Sequence, residues 1–189
     1  MDKLVFDIET KNTFQDVGGR DNFEALEVSL VCAYSYDKDE YYSFEEHELA
    51  KFGAMAQHAM LVGFNSKGFD APVLEKHYHF KISSLPHYDI MGEIEEKLGK
   101  RISLDLLARA NLGQERGKTG SGLDAIRYYR EGRMDELKKY CLQDVKVTKE
   151  IFDLIREQGY LWVPQRNTPE MARVELHFQD PKEDQGRLF

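Results

Sequence analysis

Two acidic residues, Asp7 and Glu9, follow an apolar run near the start of the sequence. Residues 4–8 are typical of a central strand buried on both faces, and alternation along a strand places Asp7 and Glu9 on one face, about 7 Å apart. Two like charges this close are unfavourable in a buried position unless a cation lies between them. The pair therefore predicts a metal site, or else a strand end in solvent.

A third carboxylate lies on the apolar face of a predicted helix. Between Leu137 and Ile155, core-facing positions recur every three or four residues, and Asp144 occupies one of them. An unpaired carboxylate there would destabilise the fold, and Tyr140, one turn earlier, can reach whatever Asp144 binds. The alternative is a hydrogen bond between Tyr140 and Asp144 alone.

A fourth carboxylate, Asp70, comes where a predicted strand gives way to a helix. In isolation it would be a helix N-cap. Together, the four acids form a set of hard oxygen ligands without a matching His or Cys cluster, which favours Mg²⁺ or Mn²⁺ over Zn²⁺. Two such ions, about 3.5 to 4 Å apart, are the arrangement that hydrolyses phosphodiesters. Phosphodiester hydrolysis is therefore the predicted chemistry.

The elements that must position these residues are strands that first form a hairpin and then alternate with helices. Residues 4–8, 28–36, 41–44 and 60–64 and a short piece near Tyr88 are expected as strands, with helices at 71–79 and over most of the chain to residue 157. Residues 160–163 and 174–178 predict an added hairpin. This order indicates an α/β fold with a mixed five-stranded central sheet flanked by helices and a small C-terminal β-hairpin.

Three motifs over residues 3–157 resemble, in order, the exonuclease motifs of the DEDD 3′–5′ exonuclease superfamily, which has a ribonuclease H-like fold. A tyrosine four residues before the last aspartate, with Lys139 rather than histidine five before it, is similar to the tyrosine branch. The second motif is similar to that of family B DNA polymerases, whose palm and thumb would not fit in 189 residues, so a free-standing enzyme is expected. The motifs are Asp7-x-Glu9, Asn65-x3-Phe69-Asp70 and Tyr140-x3-Asp144.

The resemblance implies a role for each acidic residue and for the tyrosine. Asp7, Glu9 and Asp144 would bind the first metal ion. Asp7 and Asp70 would bind the second, with Asp70 acting through water, and Tyr140 would orient the attacking water. The implied reaction releases 5′-mononucleotides from the free 3′ end of single-stranded or frayed DNA.

The resemblance also implies contacts to the terminal nucleotide from the backbone of residues 8–10, including Ile8 and Thr10, and from Asn65 and Phe69. The net charge of the chain is −8, which by itself argues against a nucleic-acid partner, but residues 101–149 carry 11 basic and 7 acidic residues. We therefore expect the strand to follow this basic stretch. Its Gly-rich part, residues 113–122, contains two candidate phosphate contacts, Arg116 and Lys118, unless it is only a solvated linker.

Two alternatives to a DNA exonuclease remain open. An exoribonuclease or deadenylase would differ only in accepting a 2′-hydroxyl. A non-catalytic, clamp-tethered adaptor that binds nucleic-acid ends would have no use for this array of four acids and a tyrosine, because the acids repel phosphate without metal.

Residues 1–178 are expected to form one domain, followed by a disordered tail at 179–189. The last five residues, Gln185-Gly186-Arg187-Leu188-Phe189, resemble the short peptide by which bacterial replication and repair proteins bind the sliding clamp, although Gly186 departs from it. The only two cysteines, Cys32 and Cys141, are expected to be buried thiols, since no thiolate metal spacing is present. The lack of a signal peptide or membrane span indicates a cytoplasmic protein.

Overall fold

The computed structural model describes residues 1–113, 120–165, 168 and 170–180. In these ranges the strands are β1 (Asp2–Thr10), β2 (Val28–Ser35), β3 (Glu40–Glu45), β4 (Ala59–Gly63), β5 (His87–Asp89), β6 (Tyr160–Pro164) and β7 (Met171–Glu175). The helices are α1 (Leu49–Ala56), α2 (Asp70–Leu74), α3 (Ile90–Leu98), α4 (Leu104–Leu112), α5 (Gly122–Arg130) and α6 (Met134–Gln158).

Five strands form the central sheet in the order β3-β2-β1-β4-β5. The β1–β2 and β2–β3 pairs are antiparallel, whereas β1–β4 and β4–β5 are parallel, so the sheet is mixed as predicted. Strands β6 and β7 form a separate antiparallel hairpin, which confirms the predicted C-terminal element. Strand β1 lies at the centre of the sheet and carries Asp7 and Glu9 towards its carboxyl end.

Alternation along β1 divides the core into two layers. Leu4, Phe6 and Ile8 pack on the face covered by α1 and α2, whereas Val5 packs on the opposite face, beneath α6. Helix α6 is 25 residues long and crosses β1 and β2. Because Asp7 and Glu9 share the period of Val5, the strand directs both carboxylates towards α6.

The predicted helix at 71–79 is shorter in the structure. Helix α2 covers only Asp70–Leu74 and passes into a 3-10 turn at Glu75–His77. Asp70 is the first residue of α2, and Phe69 is its N-cap, so the capping role considered for Asp70 is wrong. No described helix combines the length and the hydrophobicity that crossing a membrane requires.

Candidate active site

The carboxylates of β1 lie at the edge of the buried core. Glu9 is only 7% exposed, Asp7 is partly buried, and a register shift between Glu9 and Thr10 interrupts the pairing with β2 directly after them. Such a bulge bends the strand and ends regular pairing. The strand therefore presents the two carboxylates next to the point where its regular pairing with β2 is interrupted.

Helix α6 contributes the other predicted residues from its buried face. Asp144 is 4% exposed and Tyr140 is 8% exposed, among apolar residues of the same helix. Gly120 approaches the Tyr140 ring so closely that a Cβ built there would lie 3.2 Å from Cε2 of Tyr140. Gly120 also has a φ of +122°, a conformation that favours glycine, so the chain before α5 confines the tyrosine ring.

Cys141 lies beside the two carboxylates of β1, a proximity that the sequence analysis missed. The thiol donates to the carbonyl oxygen of Asp7 at 3.6 Å and to Oδ2 of Asp7 at 3.8 Å. One ligand atom each from Asp7, Glu9 and Cys141 lie within 4.8 Å of one another. Among the described residues, no other set of three or more His, Cys, Asp and Glu side chains has its ligand atoms this close together. The group includes neither Asp70 nor Asp144.

Both cysteines are buried thiols, as expected, but they are not independent of the site. Cys32 pairs directly with Asp7 across the β1–β2 ladder. Burial raises the pKa of the Cys141 thiol, and Cys32, Asp7 and Glu9 raise it further. The usable signal was the position of Cys141 on the same helical stripe as Asp144, three residues before it.

Asp70 is tied to β1 through the backbone. Its Oδ1 accepts a hydrogen bond from the Ile8 amide nitrogen at 3.1 Å, and the residue is 4% exposed. Burial raises the pKa of Asp70 to about 7; the charge of Asp89 also raises it, while hydrogen bonds from the amides of Asp70 and Ile8 oppose the rise. A carboxylate so poorly solvated gains much from a nearby cation.

The donor set fits a divalent cation. Asp7 and Glu9 offer carboxylate oxygens within 4.8 Å of each other, and Asp70 and Asp144 are buried on α2 and α6. Three of these four acids are less than 8% exposed. Buried acids of like charge favour a bound cation over an empty site. The thiol of Cys141 adds one soft donor to this otherwise hard set.

A pocket of about 330 Å³ lies next to Glu9. Phe14 and Phe69 line one wall, with ring centroids 5.7 Å apart in an edge-to-face arrangement, and Leu123 at the start of α5 lines another. Leu123 is 68% exposed. The pocket thus has an aromatic wall and Glu9 in its lining.

The loop between β1 and β2 is fastened to α5 near this pocket. Asp16 accepts hydrogen bonds from the amide and hydroxyl of Thr13 and pairs with Arg130 at 2.9 Å. This contact holds the loop that carries Phe14 against α5. Both sides of the pocket are therefore fixed in the structure.

Two of the predicted nucleotide-contacting residues already use a donor within the protein. The amide of Ile8 already donates to Asp70, and the hydroxyl of Thr10 donates to the carbonyl of Asn12 at 2.9 Å. Ile8 and Thr10 line the pocket, but these two donors are committed within the protein. Arg116 and Lys118, and the peptide at 185–189, lie outside the described residues.

Asn65 and Phe69 come from the loop between β4 and α2. Asn65 has a φ of +63°, in the left-handed region, and its side-chain oxygen accepts a hydrogen bond from Arg101. Phe69 packs edge-to-face on both Phe14 and Phe23. The loop therefore directs Phe69 towards the pocket and Asn65 towards an arginine that the sequence analysis did not single out.

Comparison with known families identifies the superfamily of this chain. Residues 4–156 match the model of the RNase H superfamily. The chain belongs to this superfamily. Membership confirms the predicted ribonuclease H-like α/β fold. The matched range contains all five predicted catalytic residues.

Solved structures with the same fold include exonuclease I. A structure of exonuclease I that addresses its processivity superimposes with a TM-score of 0.54 at 13% identity, covering 82% of this chain and 40% of that one. The complex of E. coli exonuclease I with a dT13 oligonucleotide gives a TM-score of 0.46 at 12% identity, covering 84% and 41%. This RNase H superfamily chain spans about 40% of the length of those proteins, and at these identities the likeness concerns the fold. Comparison with curated proteins finds no match.

Proposed function

We propose that this protein is a metal-dependent 3′–5′ exonuclease of the tyrosine branch of the DEDD superfamily, similar to the exonuclease domain of family B DNA polymerases. Its substrate would be single-stranded or frayed DNA, and its products 5′-mononucleotides. The observation that supports the proposal is the contact of Cys141 with Asp7, because it brings the helix that carries Tyr140 and Asp144 over the strand that carries Asp7 and Glu9. Asp70 is hydrogen-bonded to the same strand. The superfamily and fold support a nuclease.

The acidic residues would hold two divalent ions, Mg²⁺ or Mn²⁺. Asp7, Glu9 and Asp144 would bind one ion, and Asp7 with Asp70 would bind the other, with Asp70 acting through water. When bound, such ions lower the pKa of an attacking water and stabilise the charge that develops on the phosphate oxygens.

Tyr140 would orient the attacking water. Its ring is confined by Gly120 and by the core beneath α6, and it lies one helical turn before Asp144. A fixed hydroxyl removes the need to reorganise the site during the reaction. The side chain therefore positions water rather than supplying a charge.

The pocket beside Glu9 would receive the terminal nucleotide. A volume of about 330 Å³ is in the range of small-molecule sites, and aromatic walls bind unpaired bases by stacking. A pocket of this size, adjacent to the carboxylates, would favour attack on the last phosphodiester of a strand. Phe14, Phe69 and Leu123 are the side chains that we assign to the base.

The experiment that tests this proposal follows product length over time. Single-stranded DNA labelled at the 5′ end should shorten stepwise, whereas DNA labelled at the 3′ end should release labelled mononucleotide from the first time point. Both reactions should need Mn²⁺ or Mg²⁺ and stop with EDTA. Internal cleavage, shortening from the 5′ end or activity in EDTA would overturn the proposal, and faster degradation of matched RNA would indicate an exoribonuclease instead.

We further propose that residues 1–178 act as one cytoplasmic exonuclease domain and that residues 185–189 bind a sliding clamp. The terminal Leu188-Phe189 pair after Gln185 supports the clamp assignment. Deleting residues 185–189 should abolish clamp binding and leave the rate on short oligonucleotides unchanged. Equal clamp binding by the truncated chain would refute the assignment.

A further inference from the structure

The loop between β4 and α2 is held by one buried carboxylate. Asp89, which is 3% exposed, accepts hydrogen bonds from the amides of Asn65 at 2.7 Å, Lys67 at 2.9 Å and Gly92 at 3.1 Å. It also caps α3, whose N-terminus favours a negative charge. The loop that leads to Asp70 therefore has a fixed backbone.

The side chain of Asn65 is fixed as well. A Cβ built at Gly68 would lie 2.7 Å from Oδ1 of Asn65, so the amide packs directly over this glycine. The same oxygen accepts a hydrogen bond from the guanidinium of Arg101. Because Oδ1 is engaged, the Nδ2 group is the part of the Asn65 side chain that remains to donate to a ligand.

Arg101 is carried by a connection that is fastened at both ends. Gly99, with a φ of +65°, closes α3, and the hydroxyl of Ser103 caps α4. Between them, Lys100 donates to the carbonyl of Pro164 at 3.1 Å and to the side chain of Gln165 at 2.9 Å. The backbone that presents Arg101 is thus braced against the β6–β7 hairpin.

The guanidinium of Arg101 is available for an anion. Its side chain is 54% exposed, and besides Asn65 it contacts Glu95 at 3.8 Å, a distance typical of a weak surface pair. A guanidinium has five N–H donors in a planar fork that suits phosphate. Lys67, exposed on the neighbouring loop, adds a second positive charge at this edge of the sheet.

We infer that Arg101, positioned by Asn65, binds a backbone phosphate of the substrate strand next to the terminal nucleotide. The inference rests on the proposed function for the identity of the strand, because phosphate alone does not distinguish nucleic acids from other polyanions. Arg101 is a binding and positioning residue, and it takes no part in bond breaking. A phosphate held here would place the strand beside the loop that carries Phe69, which lines the pocket next to Glu9.

Equilibrium binding tests the inference without hydrolysis. In an Asp144→Asn background, we would measure the affinity of a fluorescent single-stranded oligonucleotide over a range of salt concentrations. Arg101→Ala should weaken binding about tenfold and reduce the salt slope by about one, as expected for one lost phosphate contact. Arg101→Lys should keep most of the slope and lose affinity because it lacks the planar fork, whereas Arg101→Gln should lose both.

Two comparisons sharpen the test. Asn65→Ala should weaken binding without changing the salt slope, and its effect should not add to that of Arg101→Ala, because the two side chains act as a unit. Arg156→Ala is the matched control, since Arg156 lies on α6 against Tyr36, whose amide pairs with Lys3 at the far end of β1. It should bind like the background protein.

Equal affinity and salt slope for Arg101→Ala and Arg156→Ala would overturn the inference. The Gln and Lys variants keep the test decisive if the Ala variant folds poorly, because each retains the aliphatic stem. If the wild-type protein degrades DNA but every Arg101 variant binds the oligonucleotide normally, this inference is wrong and the proposed function stands. If the wild-type protein hydrolyses no nucleic acid but the Arg101 variants bind the oligonucleotide more weakly, the proposed function is wrong and the phosphate contact stands.

Discussion

The amide nitrogen of Ile8 donates a hydrogen bond to Oδ1 of Asp70, which joins the central strand to the first residue of α2 across 62 positions of sequence. Ile8 lies between Asp7 and Glu9, so this bond ties Asp70 to the segment of β1 that carries both carboxylates. The second and first motifs are therefore coupled through the backbone. A change at Asp70 affects both the proposed metal site and the fold, and the two effects are separable.

Asp70→Asn separates them, because the amide oxygen can still accept from Ile8. We expect the rate of nucleotide release to fall by at least about 100-fold, as one charged ligand is lost, while the free energy of unfolding stays within about 1 kcal/mol. Asp70→Ala should lose activity and also stability, by about 1 to 3 kcal/mol, because the Ile8 amide is left without its acceptor. Initial rates measure the loss of activity and urea denaturation measures the change in stability, with Asp37→Asn at an exposed position as the control. An active Asp70→Asn protein would contradict the assignment of Asp70 as a metal ligand.

Divalent metal should stabilise the folded protein, because a cation relieves the repulsion between the clustered carboxylates. At a Mn²⁺ concentration about 100 times the dissociation constant, the gain is about 2.7 kcal/mol. Thermal denaturation at constant ionic strength measures the corresponding rise in Tm. Asp7→Asn should abolish most of the rise and Asp37→Asn should retain it; an equal response in both variants would show that the metal binds elsewhere.

Cys141 should give the site an affinity for soft metals. The thiol lies within 4.8 Å of a carboxylate oxygen from Asp7 and one from Glu9, and Cd²⁺ prefers sulfur ligands. We expect Cd²⁺ to inhibit the wild-type protein and to produce an ultraviolet sulfur-to-metal absorption band, both of which Cys141→Ser should lose. Cys32→Ser should retain the band. A band that survives in Cys141→Ser would assign the soft site to another sulfur.

His87 should make stability depend on pH. Burial lowers the pKa of His87 to about 4, and its Nε2 lies 2.7 Å from the hydroxyl of Ser66. In the unfolded chain His87 has a pKa near 6.5, so between about pH 6.5 and 4 it is protonated in the unfolded state and neutral in the folded state. The free energy of unfolding therefore falls as the pH falls through this window. The loss from this group approaches about 3 kcal/mol at the lower end.

The difference between the wild-type protein and His87→Gln isolates this effect from the titration of carboxylates. Urea denaturation at several pH values should give a stability difference that changes between pH 6.5 and 4 and is constant above pH 7. The exposed His79→Gln is the control and should follow the wild-type curve. Parallel curves for the wild-type and His87→Gln proteins would contradict the prediction.

Local patterns were sufficient to predict the parts of the site that lie on regular elements. Alternation placed Asp7 and Glu9 on one face of β1, and the helical stripe placed Tyr140 and Asp144 in the core, because both patterns depend only on strand and helix geometry. Cys141 was on that stripe too, yet its residue type gave no signal. Its position beside Asp7 became visible only from the packing of α6 on β1, which depends on contacts between distant parts of the chain.

Contacts between distant loops could not be predicted. Asp89 holds the amides of Asn65 and Lys67 across more than 20 residues, and Arg101 reaches Asn65 across 36. These contacts depend on how β4, β5 and the α3–α4 connection end at the same edge of the sheet. No periodic pattern in the sequence indicates that these segments come together. The residues that position the motif at Asn65 and Asp70 could therefore be identified only from the fold.

The most direct test of the account compares one rate in two variants of α6. Asp144 is buried one turn after Cys141, which contacts Asp7, whereas Asp135, on the same helix, is exposed. The measurement is the initial rate of mononucleotide release from the 3′ end of single-stranded DNA in Mn²⁺. We predict that Asp144→Asn lowers this rate by at least about 100-fold and that Asp135→Asn leaves it unchanged. A wild-type rate for a folded Asp144→Asn protein would contradict the account.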